Sequence, residues 1–413
     1  MGHVRKTLDA GFAQKGIGFW VLSPILFVVS LLWAWVASIR RRRGYARFRD
    51  LHKSPRVICC GNILVGGTGK SPIVRHIAQD FLSRNNMVAI VARGIGKGIK
   101  TGVACSASLQ SNAEKCLLNV LSTCDLSDEN KEHFEFLTMR FPEARFAVFQ
   151  GSNRLAAVNA FSALTASCEL PFDRSLVILD DGLQHFAAPR HLNLCVWDPA
   201  VVQTAPSMCL PVGPYREGFF WSMKPLLEVF SFRVWSRCRS EKFAEFVSQA
   251  STVLKRFGMD VGNQDLFVVG EHVWFVANSA TSSSLLLCDD VVARVQSCSR
   301  ALCITGIAHG ERFVSELREK FPDGLIDHIE LGDHASLSEN AICAMSNHET
   351  LIFSGKDFFR WRDHEVFAQN ARDKNVFVVA MEVSLRARCG DVVSPADLLL
   401  SQHSQHLQHL QHS

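Results

Sequence analysis

Short apolar runs alternate with amphipathic stretches along most of this chain. Runs of four to seven apolar positions bounded by turn residues read as buried strands, and apolar residues at helical spacing read as helices between them. Strands are predicted at Arg56–Cys60, Met87–Val91, Arg145–Phe149, Ser175–Leu179 and Leu192–Trp197. A second set is predicted at Ala301–Ile304, Leu325–Leu331, Thr350–Phe353 and Val376–Ala380. Strand and helix in alternation point to α/β layers, and two such sets point to two α/β domains.

Residues 16–39 follow neither pattern. They carry no charged side chain and are rich in Ile, Leu, Val, Phe and Trp. About 20 such residues are needed for a helix to cross the hydrocarbon core. Lys15 precedes the run and Arg40, Arg41, Arg42 and Arg43 close it, with Trp20, Trp33 and Trp35 toward its ends. Ser23 and Pro24 weaken it as one regular helix. Two membrane readings compete, a spanning helix and an interfacial one, beside a third in which the segment is a buried core helix. In both membrane readings the arginines stay cytoplasmic and attract anionic lipid.

The 413 residues suffice for two or three domains. A net charge of +4 gives no whole-chain argument for nucleic acid, so no nucleic-acid partner is expected. The 14 cysteines show no Cys-x-x-Cys spacing, and Cys59, Cys60, Cys195 and Cys303 fall inside apolar runs. They read as small buried hydrophobes in a reducing compartment.

The first strand leads into Gly61, Asn62, Ile63, Leu64, Val65, Gly66, Gly67, Thr68, Gly69, Lys70 and Ser71, and a predicted helix follows over 72–82. Strand, glycine loop and helix in this order make a P-loop. The glycines let backbone N–H groups face phosphate, Lys70 supplies a charge to the β- and γ-phosphates of ATP, and the Ser71 hydroxyl suits Mg²⁺. The strand at 175–179 runs into Asp180, Asp181, Gly182, Leu183, Gln184 and His185. Carboxylates at a strand's C-terminal end are where a P-loop fold holds its Mg²⁺ ligand. Asp180 is read as that ligand. Asp181 binds metal or steers the acceptor hydroxyl, and His185 meets a phosphate or positions the acceptor. The expected fold is α/β: a P-loop NTPase-like parallel-sheet domain, a second, smaller α/β domain and an N-terminal membrane-associated helix.

These motifs together resemble the tetraacyldisaccharide 4'-kinases of lipid A synthesis. The family's Val-Gly-Gly-Thr-Gly-Lys-Thr-Pro loop corresponds to Val65–Pro72 and likewise lacks the first glycine of the strict P-loop pattern, here Leu64. Its Ser-Arg-Gly-Tyr-Gly turn is similar to Ala92–Gly96, its Asp-Asp-Gly-Phe-Gln-His to Asp180–His185, and its Leu-Pro-x-Gly-Pro-x-Arg-Glu to Leu210–Glu217. Weaker likenesses occur at Gly306–Phe313, Asp333–His334 and Lys356–Asp357. The resemblance implies transfer of the ATP γ-phosphate to the 4'-hydroxyl of an acylated glucosamine disaccharide 1-phosphate lipid. It places the work at a membrane surface, the cytoplasmic face of the bacterial inner membrane. It implies Lys70, Asp180, Asp181, His185 and His334 as catalytic residues, and Asn62, Gly66, Gly67, Thr68, Gly69, Lys70 and Ser71 as the ATP site. Arg93, Arg154, Arg216 and Glu217 are implied as substrate-binding, and Ser71 and Asp180 as Mg²⁺ ligands.

One departure stands out. The family's aspartate, which partners a histidine in activating the acceptor, falls on Ala113, with Glu114 beside it. His334 then lacks its usual partner, and Asp181, Asp333 and Glu114 are the substitutes at hand. The domain boundaries read from this are 1–43 for the apolar segment, 44–235 for the P-loop kinase domain, 236–298 for a linker or insertion, 299–400 for the C-terminal α/β domain and 401–413 for a His-rich tail.

Overall fold

A computed structural model describes residues 17–45, 55–65, 68–93, 101–112, 126–188, 190–204, 208–217, 231–238, 240–277, 285–287, 290–297, 300–307, 310–321, 325–332 and 335–399. The long helix α1 (Ile17–Tyr45) comes first. It continues through Pro24, whose missing N–H removes one helical hydrogen bond without stopping the ladder on either side. Then follow β1 (Arg56–Gly61), α2 (Lys70–Ser83), β2 (Met87–Ala92), β3 (Gly102–Cys105), α3 (Asp128–Arg140), β4 (Phe146–Gln150), α4 (Arg154–Ser167), β5 (Ser175–Asp180) and β6 (Leu192–Trp197). After α5 (Pro199–Thr204) come β7 (Phe232–Cys238), α6 (Phe243–Lys255), β8 (Asp265–Ala277), β9 (Leu285–Leu287) and α7 (Val291–Gln296). The chain ends in β10 (Ala301–Thr305), α8 (Gly310–Arg318), β11 (Ile326–Glu330), α9 (Glu339–Ser346), β12 (Thr350–Ser354), α10 (Gly355–Trp361), α11 (Glu365–Ala371) and β13 (Asn375–Arg386). All nine predicted strands are present; eight lie within one residue of their expected ends, and the last, expected at Val376–Ala380, runs on to Arg386.

Contacts divide the chain into two units, and each is discontinuous in sequence. The first comprises 1–70, 179–269 and 385–413. Its strands β1, β6, β7 and the start of β8 pair in parallel in that order. Trp197 and Trp235 pack at 5.7 Å between ring centroids, with Phe257, Phe267 and Phe243 extending the aromatic layer. Beneath it Arg233 and Asp265 form a buried two-bond pair at 2.8 and 2.6 Å, and Asp265 also accepts from the Trp235 indole at 2.9 Å and the Gly262 amide at 2.8 Å. A buried carboxylate needs this many donors to offset its lost hydration.

The second unit comprises 71–178 and 270–384. Here β2 pairs in parallel with β4, whose other edge takes β3 antiparallel. Separately, β11, β10, β12 and β13 form a parallel run in that order. A core of Phe275, Leu351, Phe353, Phe358, Trp361 and Phe367 fills one face of that run. Helix α3 is joined to α10 and the turn after it by four ion pairs: Asp128–Arg360 at 2.7 Å, Glu129–Lys356 at 3.4 Å, Glu135–Arg362 at 2.6 Å, and Lys131–Asp363.

Residues 236–298, expected as linker or insertion, supply the end of β7 together with α6, β8, β9 and α7. The cysteines of the apolar runs, Cys59, Cys60, Cys195 and Cys303, are buried. Burial pushes the Cys60 thiol well up, and the Asp180 charge adds to this.

Candidate active site

β1 is apolar and fully buried after its first residue, so the chain leaves the sheet at Gly61 and must turn there. Gly61 admits no side chain, since a Cβ on it would lie 2.8 Å from Leu183 Cγ and 3.1 Å from the Leu183 backbone nitrogen. The loop then holds itself in shape: Asn62 Nδ2 donates to Thr68 Oγ1 at 2.9 Å. Gly69 sits at φ +75, a left-handed conformation that glycine adopts without strain. Helix α2 starts at Lys70. Its inward stripe of Ile73, Val74, Ile77, Ala78, Phe81 and Leu82 fixes it in place, and its first turn carries no acidic residue. The helix therefore presents uncompensated N–H groups and positive partial charge, which suits an anion. Gly66 and Gly67 lie outside the described residues.

β5 ends in the first unit with Asp180, which is buried. Asp181 follows at φ +49, a left-handed turn that an aspartate tolerates. Its carboxylate accepts from Arg216 Nη1 at 2.9 and 2.8 Å and lies 3.6 Å from Lys70 Nζ. The turn is braced from within. Arg190 donates to the carbonyls of Gly182, at 2.8 Å, Leu183, at 3.2 Å, and His185. The His185 amide donates to Gly182 O at 2.9 Å. Gln184 Nε2 donates to Asn62 O and to Glu217 Oε1, both at 3.0 Å.

A third segment, 208–217, closes over the loop. Arg216 N donates to Ile63 O at 2.7 Å and Val65 N to Pro214 O at 2.8 Å, so its backbone lies along the glycine loop as a short strand would. Gly213 is required because a Cβ there would stand 2.1 Å from Met208 O. Glu217 is buried, and burial pushes its carboxyl above the ordinary range. Arg41, the Gln184 hydrogen bond, Arg190 and Arg216 pull it back down.

The first unit thus brings together Asn62, Thr68, Gly69, Lys70, Asp180, Asp181, His185, Arg216 and Glu217. Ser71, Arg93 and Arg154 belong to the second. There Arg93 is exposed just past β2, and Arg154 is buried at the start of α4 behind the capping side chain of Asn153. His334, Asp333, Ala113 and Glu114 lie outside the described residues. The motif pattern gives Gln184 no role of its own and does not include Arg190. The hexapeptide itself held the signal for Gln184. Arg190 carried none, because its task depends on three carbonyls turning toward it.

An α/β fold with a glycine loop that runs into a helix, a lysine at the start of that helix and a carboxylate turn within reach of the lysine defines a P-loop phosphotransferase class of site. Comparison with known proteins narrows this. The family described as tetraacyldisaccharide-1-P 4'-kinase (LpxK) matches residues 22–396. Proteins named tetraacyldisaccharide 4'-kinase from Francisella tularensis subsp. tularensis and from Francisella novicida are 25% identical over 344 residues, which is 83% of this chain and 91% of theirs. The crystal structure of LpxK from Aquifex aeolicus, in its "apo" form in complex with ATP, aligns with a TM-score of 0.57 at 18% identity, covering 92% of this chain and 99% of that one. The chain belongs to the tetraacyldisaccharide-1-P 4'-kinase family.

Proposed function

We propose that this chain transfers the γ-phosphoryl group of ATP to the 4'-hydroxyl of a tetraacylated glucosamine disaccharide 1-phosphate, with Mg²⁺, at the cytoplasmic face of the bacterial inner membrane. The observation that carries this reading is the convergence of three motifs in one unit. Lys70 of the glycine loop, Asp181 of the carboxylate turn and Arg216 of the 208–217 segment form one chain of charge contacts. A nucleotide hydrolase has no need of the third motif.

The residues present fit both implied groups. The helix N-terminus, the left-handed Gly69 and Lys70 suit a polyphosphate. Asn62 Oδ1 is a buried acceptor with no hydrogen-bond partner among the described residues. The Asp180 carboxylate and the Ser71 hydroxyl, assigned by their motif positions, are hard oxygen donors of the kind Mg²⁺ takes. Mg²⁺ takes one or two protein oxygens and keeps water and phosphate oxygens as its other ligands, so a site this sparse in protein donors is of the kind it uses. Mg²⁺ bound to the nucleotide would neutralise charge on the β- and γ-oxygens. Lys70 adds to that neutralisation, and its present partner Asp181 is then available to orient the acceptor hydroxyl. Arg216 and Glu217 are the acceptor-side groups in this reading.

The lipid acceptor requires a membrane surface, and α1 suits one. Only 6% of the Pro24–Arg41 stretch is buried, and Ile25, Val28, Leu32, Trp35 and Val36 are exposed. A core helix would bury these side chains. The test is transfer of labelled γ-phosphate from ATP to tetraacyldisaccharide 1-phosphate in detergent micelles, with and without Mg²⁺. Mg²⁺-dependent formation of a bisphosphorylated lipid is expected. A folded, ATP-binding chain that makes none overturns the reading.

A further inference from the structure

Helix α1 has two opposed sides. At about 100° per residue, Ser30, Trp33 and Arg41 fall within an arc of about 80°. The exposed Ile25, Val28, Leu32, Trp35 and Val36 lie across the helix from them. Each of the three polar side chains bonds the 208–217 segment. Ser30 Oγ donates to Cys209 O at 2.7 Å, Trp33 Nε1 to Arg216 O at 2.7 Å and Arg41 Nη1 to Glu217 Oε2 at 3.2 Å. The arginine cluster, read from sequence as a lipid-facing group, is therefore split: Arg40 is exposed and Arg41 is turned inward.

The contact at Arg41 differs in kind from the other two. Glu217 is a buried carboxylate whose two oxygens face opposite ways. Oε2 takes Arg41 from α1, and Oε1 takes Gln184 from the carboxylate turn. Gln184 in turn donates to Asn62 O in the glycine loop and accepts from Arg216 Nη1 at 3.3 Å. Arg41, Glu217, Gln184 and Asn62 thus form an unbroken path from the apolar helix to the phosphate-binding loop. Removing one end of a buried charge pair leaves the other charge uncompensated, and the structure responds by protonation or by movement.

We propose that Arg41 is a positioning residue for phosphoryl transfer: it holds the Glu217 carboxyl in place, and through Glu217 ties the seating of the apolar helix to the geometry of the carboxylate turn. The inference rests on the kinase reading and deepens it. Helix α1 serves as more than an anchor, since its hydrogen-bonded side completes the site. The charged and titratable groups facing Glu217 are Arg41 on α1, Arg190 and Arg216 from the neighbouring loops, and the thiols of Cys195 and Cys209. Of the arginines, Arg41 is the one in an ion pair with Glu217 among the described residues.

The experiment compares full-length wild type, Arg41→Met and Arg41→Lys in the micelle transfer assay across pH, with a thermal melt of each. Arg41→Met is expected to lower kcat about 10- to 100-fold, the loss that follows a sub-ångström to 1 Å misplacement near the chemistry, while KM for ATP changes little. Its acid limb is expected to move to higher pH, because without Arg41 the Glu217 carboxyl loses a group that favours ionisation. Arg41→Lys, which keeps the charge, is expected to restore the limb and part of the rate. A wild-type rate and pH profile in Arg41→Met overturns the proposal. So does a loss that is equal at every pH, follows a lowered melting temperature and is not relieved by Arg41→Lys. If the wild type itself transfers nothing, the kinase reading fails. The clamp is then decided by hydrogen exchange at 208–217: faster exchange in Arg41→Met but not in Arg41→Lys supports it, and unchanged exchange overturns it.

Discussion

Gly61 is the last residue of β1 and touches the carboxylate turn from below, so Gly61→Ala perturbs the site without removing any chemical group. The added Cβ would meet Leu183 Cγ at 2.8 Å and the Leu183 backbone nitrogen at 3.1 Å, where ordinary contact begins at 3.4 Å. The side chain must therefore move by 0.6 Å and the backbone by 0.3 Å (3.4 − 2.8 and 3.4 − 3.1). Leu183 Cγ can rotate away, but its nitrogen cannot move alone. Gly182 and Gln184 flank it, and Gly182 N donates to Cys60 O at 3.4 Å while Gln184 bridges Asn62 and Glu217. Displacement passes to Asp181 and Gln184. A misplacement of about 1 Å costs about 100-fold in rate, so a shift of this size is expected to cost about 10-fold or somewhat more, close to 1.4 kcal/mol. Overpacking is expected to remove about 1–3 kcal/mol of stability as well. The assay is initial-rate transfer of labelled phosphate at saturating ATP, paired with a urea melt. Gly61→Ala/Leu183→Ala removes the Cγ overlap and leaves the backbone one, so it should recover part of the rate and not all of it. A single variant at wild-type rate, or a double variant no better than the single, refutes the geometric account.

Other expectations follow from single contacts. Lys70→Ala should abolish transfer while leaving the melt essentially unchanged, since Lys70 meets Asp181 at 3.6 Å near the surface, and retained activity would remove the P-loop assignment. Asp265→Ala should cost about 3–5 kcal/mol in urea unfolding, because it leaves the buried Arg233 charge and the Trp235 indole without their acceptor; a loss under about 1 kcal/mol would contradict this. Asp357 is fully buried, and burial raises its carboxyl above the ordinary range against the opposing pull of the Gly306 amide, Arg360, Ser354 and Lys356. Its folded form favours the proton, so its contribution to stability is present below the ordinary carboxylate range and lost as pH rises through the raised folded value. Asp357→Asn should therefore flatten the fall of melting temperature from about pH 4 upward, and parallel curves for variant and wild type would refute the shift.

Nine of the thirteen strands were legible in the chain itself. Runs such as Leu192–Trp197 and Thr350–Ser354 are buried end to end, and a short continuous apolar run has few other ways to satisfy both its side chains and its backbone. The glycine loop was legible for a similar reason, since Gly61, Gly69 and Lys70 lie within ten consecutive residues. Less of 232–277 could be read. Its strands β7 and β8 carry Arg233, Ser236 and Asp265 at buried positions, which breaks the apolar pattern, and only their pairing across 32 residues makes burial affordable.

The sequence by itself determined which elements form and which chemistry they bear, because periodicity, turn chemistry and motif spacing are properties of neighbouring residues. The tertiary structure alone decided who meets whom. It turned Arg41 of an apparently lipid-facing cluster onto Glu217, 176 residues away, and set Arg190 beneath three carbonyls of the carboxylate turn. It also laid 208–217 along the glycine loop. These partners are fixed by burial and by the demand that every buried charge find a counter-charge or donor, a condition that no local stretch of sequence can express.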